Sequence, residues 1–316
     1  MASFDRKPAP FQKETTFSSY NQEQGKTYAA VRRNYDPGVY QAISDYHVAT
    51  GGAFDRLLDV GCGPGIATLT LAPRFTHAVG IDPSDGMLAN ARLAGGVTSS
   101  SEPVRFERSS AEELGSNLHP PIADSSVDMI TAATAAHWFD MTGFWPSAAR
   151  VLKPGGTVAI WGGGPLALDP TIPNADAIDK AVEDFRTNDL APYRTPGNDI
   201  SHNRYRDLLL PWTLETPVAD FAPSDFVRRE WQPGEVFHSG PREIDLDTFE
   251  KMISTGSGVT RWRQDHPDLV GTEQDVIRRL RRTIEKLLHE AGVEEGQERL
   301  RGDSLGVLLL FKKKAS

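Results

Sequence analysis

A single cysteine, Cys62, stands among 316 residues. That excludes an internal disulfide framework and any metal site built from several thiolates. The eight histidines are scattered without ligand spacing, so no metal is expected. Long apolar runs are missing too. The richest stretch, Gly306 to Phe311, is strand-length, well short of the roughly 18 residues of a membrane helix. No apolar segment follows the first charges, so no secretory leader is expected. Positive charge is in deficit: 34 Lys and Arg against 43 Asp and Glu leave a net charge of −9, which disfavours nucleic acid as a partner. These absences predict a cytoplasmic protein with neither membrane nor nucleic-acid partner; they do not set an oligomeric state.

What is present is an alternation of strands and helices. Hydrophobic residues at 39% and charged residues at 24% suit a globular chain with a sizeable core. Arg56 to Val60 is an apolar run entering a glycine cluster, a buried strand meeting a tight turn. A helix from Ile66, a strand at 77–81 and a helix over 84–93, with Ser84 as N-cap, follow. Further strands are predicted at 104–107, 127–132 and 157–161, the last after the turn Lys153-Pro154-Gly155-Gly156. This spacing predicts a parallel sheet with helices on both faces. Residues 17–46 read as helical with a break near Asp36-Pro37-Gly38, and residues 1–16 read as a flexible N-terminus.

Beyond Gly164 the alternation stops. A short helix near 176–186, a sixth strand at 226–231 and an amphipathic helix at 272–291 are predicted, the last with Val276, Ile277, Leu280, Ile284, Leu287 and Leu288 on one stripe. Arg278, Arg279, Arg281 and Arg282 on its other face read as a solvated surface rather than a nucleic-acid patch. Residues 304–311 form the final strand, followed by Lys312-Lys313-Lys314, which would protect an end or edge from pairing.

Leu57 to Gly65, LLDVGCGPG, is the informative segment. Glycines at 61, 63 and 65 let the backbone turn sharply and approach a ligand, and the next helix offers free N–H groups. Asp82, ending the next strand, can accept the ribose hydroxyls of an adenosine ligand. A nicotinamide enzyme would need glycine at the first, third and sixth positions; counted from Gly61, the sixth is Ile66.

In these residues the sequence resembles the class I S-adenosylmethionine (SAM)-dependent methyltransferases with a type 11 domain. Asp59, Gly61, Gly63 and Gly65 match the motif that surrounds the methionine part of SAM. Gly80-Ile81-Asp82-Pro83-Ser84 with Met87 matches the second motif, which implies Asp82 on the ribose and Pro83 and Met87 flanking the adenine. Ser110-Ala111-Glu112 resembles the third motif, where an aspartate is usual in place of Ser110, and Thr134 joins the implied cofactor set. Ala136-His137-Trp138-Phe139-Asp140, and Phe17…Tyr28…Arg32…Tyr35, resemble the trans-aconitate methyltransferase-like branch, although Arg33 and Asp36 replace its two prolines. The resemblance covers roughly residues 17–164 and is thin from 165 to about 300. It places Tyr28 and Arg32 near the SAM carboxylate, where a guanidinium fork is chemically apt.

The fold class so implied is α/β: a Rossmann-like, doubly wound, seven-stranded sheet with an N-terminal helical cover and a helical substrate lid. The core occupies 17–164 and the lid 165–225. Residues 226–316 complete the sheet, with a second lid segment near 240–270. The expected activity is O-methylation of a small molecule, a carboxylic acid or a secondary metabolite, with N-, S- or C-methylation or a catalytically silent SAM-binding regulator as alternatives. A carboxylate acceptor needs no base. For a phenol, hydroxyl or amine, His137 is the candidate base. Trp138, Tyr205, Arg261 and Trp262 join His137 as candidate substrate contacts, arginine for an acidic group and aromatics for a planar one.

Overall fold

The computed structural model describes residues 11–315. Two helices come first, α1 (Gln22–Val31) and α2 (Pro37–Ala49). Asn21 caps α1 through a capping box with Gln24, satisfying N–H groups that the first turn cannot. The helical stretch is interrupted between Val31 and Pro37, at the expected break, and restarts there: Asp36 accepts the Gly38 amide, and Pro37 sits at the first position of α2, where its missing N–H costs nothing.

The core then alternates. β1 (Arg56–Val60) leads to α3 (Ile66–Leu71), β2 (His77–Asp82) to α4 (Asp85–Ala94), followed by β3 (Arg105–Arg108). β4 (Val127–Ala133) leads to α5 (Met141–Val151) and β5 (Leu152–Leu168). The remaining elements are α6 (Ala175–Asp184), α7 (Pro196–His202), β6 (Val227–Glu230), β7 (Glu243–Asp245), α8 (Leu246–Ser254), α9 (Ser257–Asp265), α10 (Val276–Glu290) and β8 (Arg299–Lys312).

Strand order is β3-β2-β1-β4-β5-β8-β6, with β7 pairing the first part of β8, so the sheet has eight strands rather than the expected seven. β1 to β5 are parallel, and β8 runs antiparallel to β5, β6 and β7. The order reverses between β1 and β4, so the crevice beyond their carboxyl ends is where such sheets hold ligands. One face packs on α5, with Phe144, Trp145 and Val151 fully buried, and the other on α2 through Val39 and Ile43.

Three features depart from the sequence reading. β5 does not stop at Trp161 but runs to Leu168, paired with β8 through a bulge at Gly163/Leu166. β8 lies inside the sheet, not at an edge: Lys312 is its last residue, paired with Thr157, and Lys313 donates to the carbonyls of Ala149 and Leu152. The segment 14–20 is held in place: both Glu14 oxygens accept backbone amides, of Thr16 and Phe17, and Thr16 is buried. Residues 1–10 lie outside the described residues.

The chain between β5 and β8, termed the lid by position alone, has its own core, with Ile178, Phe249, Trp262, Ile277, Leu280, Ile284 and Leu288 buried together. Burying each large apolar side chain contributes about 1.5–3 kcal/mol. The arginines of α10 are paired on the surface, Arg278 and Arg281 with Glu250, Arg279 with Asp189 and Arg282 with Glu273. No helix among the described residues is long and apolar enough to cross a membrane.

Candidate active site

The glycine turn and the start of the lid enclose one cavity of about 1320 Å³. Its floor is the exit of β1. Gly61, at φ +64°, leaves no room for a side chain: a Cβ there would stand 2.6 Å from that of Ala135. Gly63, at φ +54°, is different. A Cβ there would meet no protein atom within 4 Å and would project into the cavity, so the turn is shaped for something other than protein.

Asp82 faces the same space. One carboxylate oxygen accepts the Gly63 amide at 2.9 Å and the other the Ser84 amide at 2.8 Å. Each oxygen retains a lone pair for a ligand hydroxyl. Burial outweighs those two amides and raises the carboxyl to about 6. Pro83, Met87, Ser110, Ala111 and Glu112 continue the wall, and Thr134 closes it beyond β4 with its hydroxyl 2.7 Å from that of Tyr35. The cover helix supplies Tyr28 and Arg32, with the guanidinium 4.6 Å from the tyrosine ring centroid. Arg32 has no carboxylate partner among the described residues; its guanidinium donates to the Thr255 carbonyl at 3.4 Å. Phe17 packs edge-on against Tyr28 and Trp138, joining the cover to the exit of β4.

Five expected contacts stand outside the cavity wall. Asp59 is buried below the turn, accepting the hydroxyls of Thr68 and Thr131 at 2.5 and 2.6 Å; it braces β1 against α3 and β4. Gly65 begins α3 and is kept small by the Phe106 ring, 3.1 Å from where its Cβ would be. Tyr205 sits behind the wall with its hydroxyl 3.0 Å from His137 Nδ1. Arg261 spends its guanidinium on protein, donating to the Tyr193 carbonyl, Thr16 and Asn198, so no fork is left for an acidic substrate. Trp262 is buried in the lid core, stacked on His266.

His137 and Trp138 do line the cavity. Burial, assisted by the charge of Arg32, pushes the His137 imidazole down to about 3. A general base works best with a pKa near the operating pH, so this ring is a poor base and a good neutral hydrogen-bonding wall. Tyr35, His238 and Asp303 also reach the cavity, and the sequence reading gave none of them a role in the site. A signal existed for Asp303, an acid just ahead of the apolar run of β8; His238 lies in a loop with no periodicity to mark it. Among the described residues no cluster of His, Cys, Asp or Glu could hold a metal ion.

Residues 58–160 match the model of a methyltransferase domain. With the open glycine turn and Asp82 above it, this defines the class: an S-adenosylmethionine-dependent methyltransferase on a Rossmann-like sheet. The chain is similar to the probable S-adenosylmethionine-dependent methyltransferase CRG1 of Saccharomyces cerevisiae, 26% identical over 76% of this chain and 81% of that protein. It is 31% identical to a methyltransferase candidate of Dictyostelium discoideum over 51% of this chain, and spans about half of that relative, 54%. Its fold matches a type II methyltransferase candidate from Anaeromyxobacter dehalogenans with a TM-score of 0.56 and 23% identity, covering 90% of this chain and 98% of that one.

Proposed function

We propose that the protein methylates an oxygen atom of a small organic molecule, a carboxylic acid or a secondary metabolite, as a member of the trans-aconitate methyltransferase-like branch. The cavity supports this best. It continues from Gly63 and Asp82 past Trp138 to Phe185, Leu190, Phe249 and Leu300, with Arg186, Arg194 and Arg242 on the same wall, leaving room for an acceptor beside the methyl donor.

When bound, SAM supplies an electrophilic methyl group on a sulfonium sulfur. The chain's residues bind and orient. Asp82 accepts the ribose hydroxyls, Pro83 and Met87 enclose the adenine, and Ser110, Ala111 and Glu112 border it. Arg32, free of other carboxylates, pairs with the methionine carboxylate. Thr134 and the glycine turn border the methionine part. Phe17 and Tyr28 close this end against water, which strengthens each of these polar contacts. His137 and Trp138 form the wall between donor and acceptor. An acceptor held there in line with the methyl group reacts through proximity alone if it is already ionised, as a carboxylate is at neutral pH.

Isothermal titration with SAM, and with NADH as control, tests the first half of this reading. SAM binding without NADH binding supports it; a folded protein that ignores SAM removes the enzyme from consideration. Carboxylic acids and phenols offered with methyl-labelled SAM test the second half, and a product labelled on nitrogen, sulfur or carbon would correct the acceptor atom.

A further inference from the structure

His238 and Asp303 meet at the cavity wall, and neither is among the residues assigned above to the donor. His238 precedes β7, and Asp303 lies on β8 opposite Ala167. The imidazole Nδ1 is 2.8 Å from Asp303 Oδ1, and the backbone amides of Phe237 and His238 both donate to Asp303 Oδ2. The acid side chain is 5% exposed and the imidazole 18%, a buried carboxylate carrying a partly open ring. Burial alone would raise the Asp303 carboxyl, but the His238 ring and amide outweigh it and hold it at about 2. An ionised carboxylate accepts only, so Nδ1 must donate. That leaves Nε2 as the nitrogen with a free lone pair, and it has no hydrogen-bond partner among the described residues.

The ring is also fixed in direction. Tyr35 stacks on it at 5.5 Å and 27°, and Phe237 meets it edge-on at 4.8 Å. Arg33 holds the carbonyls of His238 and Ser239 at 3.1 and 2.9 Å. Gly163 leaves space beside it, since a Cβ there would stand 3.5 Å from His238 Cε1. Tyr35 bonds in turn to Thr134, so the imidazole is one aromatic ring away from the end of β4, where the donor's cradle begins.

From this arrangement we infer that His238 is the general base of the enzyme and Asp303 the residue that positions it, and that the acceptor carries a hydroxyl with a proton to lose, a phenol or an alcohol. The inference rests on the methyltransferase reading and selects one of its acceptors. The acceptor O–H proton moves to His238 Nε2 while the oxygen forms its bond to the methyl carbon. The carbon–sulfur bond breaks, and its electron pair stays on sulfur as a neutral thioether. The imidazolium returns its proton to water once the products leave. An imidazole held in one tautomer by a buried acid is the arrangement this proton transfer requires.

The deciding experiment uses the full chain labelled with 15N at histidine. Long-range 1H–15N spectra of the wild type, with H238Q to assign the signal, report which nitrogen of neutral His238 is protonated. The expected result is the Nδ1–H form in the wild type and a shift toward the other tautomer in D303N. A wild-type His238 protonated at Nε2 overturns the assignment whatever the substrate. In parallel, SAM affinity and turnover are measured with 2-naphthol and 2-naphthoic acid. Methylation of 2-naphthol that falls about 10²-fold in kcat in H238Q, with SAM affinity within threefold of wild type, supports the base. A loss below fivefold, or a wild-type enzyme that methylates only the acid, overturns it. A wild type that binds no SAM rejects the methyltransferase reading instead, a failure that the tautomer result keeps separate.

Discussion

Asp82 shows how one side chain couples the site to pH. Its folded carboxyl sits near 6 against an ordinary 3.8, because burial outweighs its two backbone amides. The fold therefore binds this proton more tightly than the unfolded chain. The stability linked to it is complete below about pH 3.8 and lost as pH rises through about 6. The ionised form is the one that accepts two ribose hydroxyls without competition, so SAM affinity should fall as pH drops below about 6, and titration calorimetry at pH 5 and 7.5 would show it. Asp82→Ala should weaken SAM binding by about 1.5–3 kcal/mol, the scale of hydrogen bonds to a charged group; unchanged affinity with the fold intact would sink the ribose assignment. His137→Ala, by contrast, should lower turnover by less than about 10-fold, since a general base contributes about 10²–10⁴-fold and this ring is held too acidic to be one. A larger loss, with SAM affinity kept, would return His137 to catalysis.

Among the elements, the cover is fastened at small contact points. α1 crosses α4 at Gly25 and Gly86: a Cβ on Gly25 would stand 2.7 Å from the Gly86 carbonyl oxygen, and one on Gly86 would run into the carbonyls of Tyr20 and Asn21. Gly86→Ala should push α1 off the donor site. The expected signature is a SAM affinity reduced at least 10-fold with a melting temperature lowered by only a few degrees; unaffected affinity would show that the cover does not hold the donor. Arg261 ties segment 14–20, through Thr16, to Asn198 and the Tyr193 carbonyl of the lid. Its replacement by alanine should cost about 1.5–3 kcal/mol of stability, read by urea unfolding, and should hasten proteolysis before residue 21. The core strands were legible in the sequence because each is an apolar run bounded by a turn. The lid was not. Gly162-Gly163-Gly164 reads as a strand end, yet β8 carries β5 through it, and glycine is needed there because a Cβ at 162 would press on the Tyr205 hydroxyl and one at 164 on the Leu305 carbonyl. That pairing joins residues some 140 positions apart, beyond the reach of any local pattern.

Over the whole molecule, the site splits into a half that local motifs describe and a half that only tertiary structure assembles. Gly61, Gly63 and Asp82 belong to a single strand–turn–helix–strand unit, so their spacing announces them. Tyr35, His238 and Asp303 come from the cover, a loop and the last strand, and meet only when the sheet closes. Because one cavity runs through cover, core and lid, a ligand held there should stabilise all three together. Saturation at about 100 times the dissociation constant adds about 2.7 kcal/mol, which should appear as one cooperative upward shift in melting. Two separate transitions would show that the lid melts independently of the core.

The shared strands also constrain how such a protein can change over evolutionary time. β5 begins in the core and ends beside the lid, and β8 begins beside the lid and ends in the core, so the lid cannot be exchanged as a cassette without severing the central sheet. New acceptor preferences must instead arise in the two connections that hang between these strands, residues 169–226 and 246–298. Lineages should therefore diverge there in length and composition, while the paired register from Thr157 to Leu168 keeps its length.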